Sequence, residues 1–322
     1  MTTCIIFGGA GFIGTHLARR LLATGRASHV HLADVRSNPL PDLPGITASI
    51  TDVRRPIPVD LTAEPPTWIF NLAAVHREPG HEAIEYFETN LAGARNVTAY
   101  AEAVDCRNIY FTSSIAVYGP TDGPTDETAP ICPVSPYGGS KYPAELIHEQ
   151  WLQAGPERRL VICRPGVIYG PGDPGNILRM VRAIKRGYFA YPGSPDIHKS
   201  YGYIEGLLDS IAFMMDRPEP ILRYNYVEDP TEPLGALVSH IKTHLGSRAP
   251  VLPLPLPLLV PAAGLINAAL GGNSPIHPVR VRKAARPTHI VPGTLKALGF
   301  PFRFDFRSSL VDWQRQAPED FA

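Results

Sequence analysis

The chain has 322 residues, enough for one large domain or two that share a core. Thirty Lys and Arg balance thirty Asp and Glu, so no surplus positive charge draws a polyanion, which argues against a nucleic-acid partner. Hydrophobic residues at 44% and charged ones at 19% exclude a disordered chain. Proline, 35 residues, is in about twofold excess over the usual ~5%. Lysine is scarce, and the first one is Lys141. The four cysteines, Cys4, Cys106, Cys132 and Cys163, are scattered without a CxxC pair or a histidine at ligand spacing. Reduced cytosolic thiols are therefore expected, with no metal site and no disulfide framework. The start, Met1-Thr2-Thr3-Cys4, has no basic n-region, so no signal peptide is expected and a cytoplasmic location follows.

Residues 4–7 read as a buried strand that runs directly into Gly8-Gly9-Ala10-Gly11-Phe12-Ile13-Gly14. A helix then carries Ile13, Leu17, Leu21 and Leu22 on one face and stops near Gly25. Residues 30–33 form a second strand that ends in Asp34, and further strands are predicted at 46–50, 68–70, 109–112, 160–163 and 223–227. Helices are predicted at 84–103 and 141–153. Strands alternating with helices imply an α/β doubly wound parallel sheet of Rossmann type, with a smaller C-terminal substrate-binding domain. The expected division is 1–165 for the cofactor domain, with 196–227 returning to it, and 166–195 plus 228–322 for substrate. One stretch, 251–270, carries no charge, yet Pro253, Pro255, Pro257 and Pro261 strip backbone donors from its first half. A spanning helix needs about 20 residues, so a core-packed or surface segment is expected instead of a transmembrane span.

The glycines Gly8, Gly11 and Gly14 lie between strand and helix. One makes the tight turn, one admits a pyrophosphate and one lets helix and strand pack closely, while the helix N-terminus offers free N–H groups. Phe12 and Ile13 belong to the same cofactor turn. Asp34, twenty positions after Gly14, is expected to bind the adenosine ribose hydroxyls. Its charge repels a 2′-phosphate, so NAD is favoured over NADP, with Arg36 able to soften the preference.

Tyr137 and Lys141 are four apart, on one face of a helix. A free phenol has a pKa near ~10, and an adjacent ammonium favours the phenolate for proton transfer with a hydroxyl group. The spacing alone is weak, but a lysine in a lysine-poor chain is informative, because arginine's diffuse charge is no substitute. Ser113 and Ser114 follow a predicted strand, where a hydroxyl can hold a substrate oxygen beside the phenol.

Together, Gly8–Gly14, Asn71-Leu72-Ala73-Ala74, Ser113-Ser114 with Val117-Tyr118-Gly119, and Tyr137-x-x-x-Lys141 resemble an extended short-chain dehydrogenase/reductase. The likeness is to the NAD-dependent nucleotide-sugar epimerase/dehydratase branch and runs through Arg164-Pro165-Gly166-Val167 to 278–283. It implies Tyr137 as acid/base, Lys141 as its partner and nicotinamide-ribose ligand, and Ser114 as the substrate clamp. It also implies adenine contacts at Asp52 and Val53, a groove lined by Leu72, Ala73 and Ala74, a helix asparagine at Asn90, and Pro165 along the nicotinamide. Ser113, His76, Val167, Lys199, Arg280 and Arg282 are the substrate-binding candidates, the two arginines for a diphosphate.

Departures from the pattern matter. The Asp-Glu pair that dehydratases of this branch carry after the hydroxyl residue is Ile115-Ala116 here, which cannot transfer protons. Val167 stands where many relatives have asparagine, and His76 where some have lysine. The segment from His198 to Asp209, and the apolar run followed by Ser274-Pro275-Ile276 and the Arg280–Lys283 cluster, resemble O-antigen and capsule enzymes, which implies peripheral membrane proximity. The expected activity is epimerisation, at C4, of a nucleotide-activated sugar through a keto intermediate, in a homodimer. The alternatives are an NAD(P)H-dependent reductase of a nucleotide 4-keto-sugar, a sterol- or isoprenoid-type alcohol dehydrogenase, and a non-catalytic cofactor-binding regulator.

Overall fold

A computed structural model describes residues 2–173, 175–269 and 277–322. Strand β1 (Thr3–Phe7) leads into helix α1 (Phe12–Ala23), then β2 (His29–Asp34) and β3 (Ile46–Ile50). Next come β4 (Trp68–Asn71), α2 (Ala83–Ala103), β5 (Asn108–Thr112), β6 (Thr121–Thr125), α3 (Pro136–Gln153) and β7 (Arg159–Pro165). The later chain adds β8 (Val167–Tyr169), α4 (Asn176–Lys185), β9 (Tyr191–Pro192), β10 (Tyr201–Tyr203), α5 (Ile204–Met215) and β11 (Ile221–Tyr226). After these follow α6 (Leu234–Leu245), β12 (Pro253–Leu254), α7 (Leu256–Ala269), α8 (Pro278–Ala284), β13 (Thr288–Ile290), α9 (Gly293–Ala297) and α10 (Phe306–Gln316).

Seven strands make one parallel sheet in the order β11-β7-β5-β4-β1-β2-β3. This is the doubly wound Rossmann-type sheet. Strand side chains alternate between two cores, as a period of two requires. Ile5, Phe7, Ile69, Ile109 and Phe111 pack on one face with Ala94 and Val97 of α2 and Ala144 and Trp151 of α3. Ile6, Leu32, Phe70, Tyr110 and Val161 pack on the other with Leu17 and Leu21 of α1 and Leu207 of α5. A fully buried side chain such as Phe70 contributes about 1.5–3 kcal/mol.

Register sets the site. Phe7 lies opposite both Ala33 and Asn71, and Asn71 lies opposite Phe111. The residues next in line, Gly8, Asp34, Leu72 and Thr112, therefore emerge at one level. That level is the crevice where the strand order reverses between β1 and β4, the binding position in open α/β sheets.

All seven predicted strands of this sheet form, with ends moved by a residue or two. Helix α3 starts at Pro136, earlier than 141, because proline suits the first turn and the Ser135 hydroxyl accepts from the Gly138 N–H at 3.2 Å. The apolar run is a surface segment, with more helix than its prolines suggest. Pro257 falls in the first turn of α7 and costs little, Pro261 is carried inside it, and a helix persists from Leu256 to Ala269. No helix among the described residues is long and apolar enough to cross a membrane. Ser274, Pro275 and Ile276 lie outside the described residues.

Candidate active site

Gly8 has a φ of +79°, and a Cβ there would lie 2.7 Å from the Ala73 nitrogen. A side chain is excluded both by conformation and by the approach of the loop after β4. At Gly14 a Cβ would come within 2.6 Å of the Gly8 carbonyl oxygen, so α1 rests directly on the turn. Gly11 closes that turn, its N–H donating to the Gly8 carbonyl at 3.0 Å. Phe12 and Ile13 begin α1, whose unpaired N–H groups and positive dipole end face the crevice.

Asp34 is buried at the tip of β2. One carboxylate oxygen accepts from the Ala10 N–H at 3.0 Å and the other from the Arg36 N–H at 3.0 Å, so the turn itself orients the carboxylate. The Arg36 guanidinium stays beside it, Nε to Oδ1 at 3.5 Å, and largely solvated. Past β3, the Asp52 carboxylate is held by Arg54 at 2.7 Å, a hydrogen bond that keeps its pKa below the usual range. Val53 is buried, and its carbonyl accepts from the Asn96 amide at 2.7 Å. Leu72, Ala73 and Ala74 form the opposite wall. The close-packed glycine turn, the helix N-terminus and the oriented Asp34 carboxylate fit a dinucleotide, with room at the turn for nothing larger than backbone.

The Ser114 hydroxyl caps a short 3-10 turn by accepting from the Ala116 N–H at 3.1 Å, and it also hydrogen-bonds the Tyr137 phenol. Burial pushes the phenol up to about 12, and that hydrogen bond is what pulls against it. Lys141 lies one helical turn along, almost fully buried, with its ammonium 4.7 Å from the centre of the Phe111 ring. Burial drives its pKa down to about 7, opposed by the charge of Glu145. Desolvation raises the phenol's pKa and lowers the ammonium's, in each case by removing water from the charged form.

Asn90, buried in α2, ties this helix to the cofactor wall. Its carbonyl oxygen accepts from the Val75 N–H at 3.2 Å, and its amide donates to Ser140 Oγ at 2.7 Å. Ser140 in turn donates to the Tyr137 carbonyl at 2.9 Å. Ser113, by contrast, faces inward and donates to Glu145. Glu145 is paired with Arg164 at 2.6 Å, both buried, and Arg164 reaches the Tyr118 hydroxyl at 2.8 Å. These contacts give Ser113 a supporting position beneath Ser114.

The remaining candidates separate. Pro165 ends β7 beside Tyr226 of β11, at the crevice level. Val167 is exposed at the start of β8, and His76 is exposed on the loop after β4. The Lys199 ammonium donates to the carbonyls of Lys283 at 2.9 Å and Arg286 at 2.5 Å, clamping the C-terminal end of α8. Arg280 and Arg282 belong to that helix. Burial lowers the pKa of Arg179, and the charges of Arg280 and Arg77 add to it; both Arg179 and Arg77 act on Asp173, whose carboxyl burial raises to about 6. Sequence spacing did not single out Arg77, Arg179 or Asp173, since three separate loops and helices bring them together. Gly138 was missed too. Its close-approach role is invisible in a helix pattern.

A Rossmann sheet whose crevice gathers a glycine turn, an acidic β2 tip and a buried Ser-Tyr-Lys group defines a dinucleotide-dependent enzyme acting on hydroxyl groups. Residues 4–226 match the NAD dependent epimerase/dehydratase family, and the chain belongs to it. It is 30% identical over 301 residues to an N-acetyl-alpha-D-glucosaminyl-diphospho-ditrans,octacis-undecaprenol 4-epimerase of Escherichia coli O157:H7, covering 92% of this chain and 89% of that one. It is 28% identical to a UDP-glucose 4-epimerase of Vibrio cholerae over 70% of each. In fold it resembles a UDP-glucuronic acid 4-epimerase from Bacillus cereus solved with NAD, with a TM-score of 0.76, 17% identity and coverage of 98% and 99%.

Proposed function

We propose that this protein interconverts C4 epimers of a nucleotide-activated sugar through a transient 4-keto sugar, using NAD. The observation that carries the reading is the Ser114–Tyr137 hydrogen bond at the mouth of the dinucleotide cradle, with Lys141 buried behind it. Bound NAD supplies a hydride acceptor and donor at the sugar carbon, and the net redox change over a turnover is zero. Tyr137, as the phenolate, takes the C4 hydroxyl proton, and Ser114 holds that oxygen. After the keto sugar turns over, Tyr137 returns the proton to the other epimer. Ile115 and Ala116, next to Ser114, bring no acid or base for removing water, which favours epimerisation over dehydration.

In this reading residues 1–165 with 196–227 hold the cofactor, and 166–195 with 228–322 hold substrate. Asp34, Asp52, Val53, Asn90 and Pro165 contact NAD, while His76, Val167 and Arg280 face the sugar diphosphate. A cytoplasmic homodimer with a face near the membrane completes it.

A second reading keeps the chemistry and changes the carrier, from a nucleoside to a polyprenyl diphosphate. The exposed apolar helix α7 favours it, as does the Escherichia coli relative. The test is incubation with UDP-, GDP- and dTDP-sugars and with polyprenyl-diphospho sugars, with products followed by proton NMR. A C4 epimer formed with catalytic NAD supports the reading, and the carrier that turns over chooses between the two. Stoichiometric consumption of NAD(P)H with a keto sugar makes the enzyme a reductase instead.

A further inference from the structure

Helix α7 has one buried residue, Ala263. Leu258 is 68% exposed and Leu265 75%, and Leu252, at 64%, leads into the same surface with Leu254. An apolar patch this continuous is unusual on a protein that works alone in water. Its neighbour is basic. Between Glu232 and Asp305 the sequence holds eight lysines and arginines and no acidic residue, and of these Lys283, Lys296 and Arg303 pair with Glu78, Asp229 and Asp209 from elsewhere in the chain. Arg282 and Arg286, both exposed, rim a groove of about 500 Å³ floored by Leu256, Pro257, Val260 and Pro261.

We propose that the α7–α8 face docks on an anionic lipid bilayer, with the leucines of α7 entering the interface and Arg282 and Arg286 meeting lipid phosphates. A helix of fourteen residues is about 21 Å long, too short to span but suited to lying in the headgroup plane. The cations fit negative lipid by charge. They fit a second copy badly, since a two-fold contact would set the same arginine-rimmed patch against itself.

The face is also mechanically joined to the crevice. Lys199 clamps the end of α8, and Lys283 pairs with Glu78 on the loop that follows the cofactor wall. Docking therefore holds the substrate side of the cleft toward the lipid. The inference rests on the membrane-facing side of the proposed reading, which it assigns to α7 and α8, and does not depend on the epimerase chemistry.

Flotation with lipid vesicles tests it. Wild-type protein is expected to float with phosphatidylglycerol-containing vesicles at low salt, and much less at high salt or with phosphatidylcholine alone. Leu258→Asp combined with Leu265→Asp should abolish flotation, and Arg286→Ala should weaken the apparent affinity about fivefold. Thermal stabilisation by NAD and turnover of a water-soluble sugar nucleotide check that the variants are folded, and both should stay at wild-type level. Wild-type protein that remains at the bottom of the gradient with anionic vesicles overturns the proposal, as does equal flotation of the leucine variants. If those variants instead convert a dimer to a monomer with no flotation in any form, the face belongs to a second copy and the proposal fails. A protein that floats but epimerises no sugar refutes the catalytic reading alone.

Discussion

Gly138 lies so close beneath Ala116 that a Cβ on it would come within 2.2 Å of the Ala116 carbonyl oxygen. This contact presses the start of α3, which carries Tyr137, against the 3-10 turn that carries Ser114. At the next position the geometry is open, because a Cβ on Gly139 would meet only Phe87, at 3.6 Å.

The two glycines therefore predict opposite outcomes. Gly138→Ala must push α3 off the serine turn, at a cost of about 1–3 kcal/mol, and should lower kcat through the lost Ser114–Tyr137 hydrogen bond. Gly139→Ala should keep activity and gain up to about 1 kcal/mol of stability, since alanine is the better helix residue. Thermal melts with initial rates decide, and equal behaviour of the two variants would remove the close-contact argument.

Tyr137→Phe deletes the proton carrier and leaves the cradle intact. Its activity should fall about 10²–10⁴-fold while NAD affinity stays near that of wild type. A fully active phenylalanine variant would show that another group moves the proton.

Asp34 is set to accept from ribose hydroxyls, with its oxygens already oriented by Ala10 and Arg36. Asp34→Ala should weaken NAD binding by about 1.5–3 kcal/mol. NADP should lose far less, because removing the carboxylate also removes its repulsion of the 2′-phosphate. Fluorescence titration with both dinucleotides measures the ratio, and equal losses would contradict the role given to Asp34.

Lys141 makes stability depend on pH. Burial lowers its pKa to about 7 in the folded protein, whereas the unfolded chain titrates at about 10.4. Between these values the unfolded state binds the extra proton, so this group's penalty is full below pH ~7 and fades as pH rises. Lys141→Met should therefore melt above wild type at neutral pH, with an advantage that shrinks toward pH ~10. A melting-point difference that is flat with pH would falsify the assignment of a desolvated lysine.

Much of the sheet could be read directly from the chain. Residues 46–50 were predicted as a strand and are β3 without change, because β-branched Ile46, Thr47 and Ile50 between turn residues favour extended backbone. The glycine turn and Asp34 were equally legible, since a β-α junction puts residues close in sequence into one site. Tyr137 and Lys141 needed only a helix to face the same way.

Sequence by itself determined what is local: strand period, turn glycines, helix spacing and the residue types a hydride-transfer site requires. Tertiary structure decided what depends on distant segments meeting. It turned Ser113 inward onto the buried Glu145–Arg164 pair and set Lys199 on the carbonyls of α8. It also brought Arg77 and Arg280 near Arg179, and Arg77 and Arg179 near Asp173. Such placements arise from packing and desolvation between elements far apart in the chain, and no spacing rule along it encodes them. The charge-free run was visible along the chain, but only its folding as α7 beside Arg282 and Arg286 made it a surface.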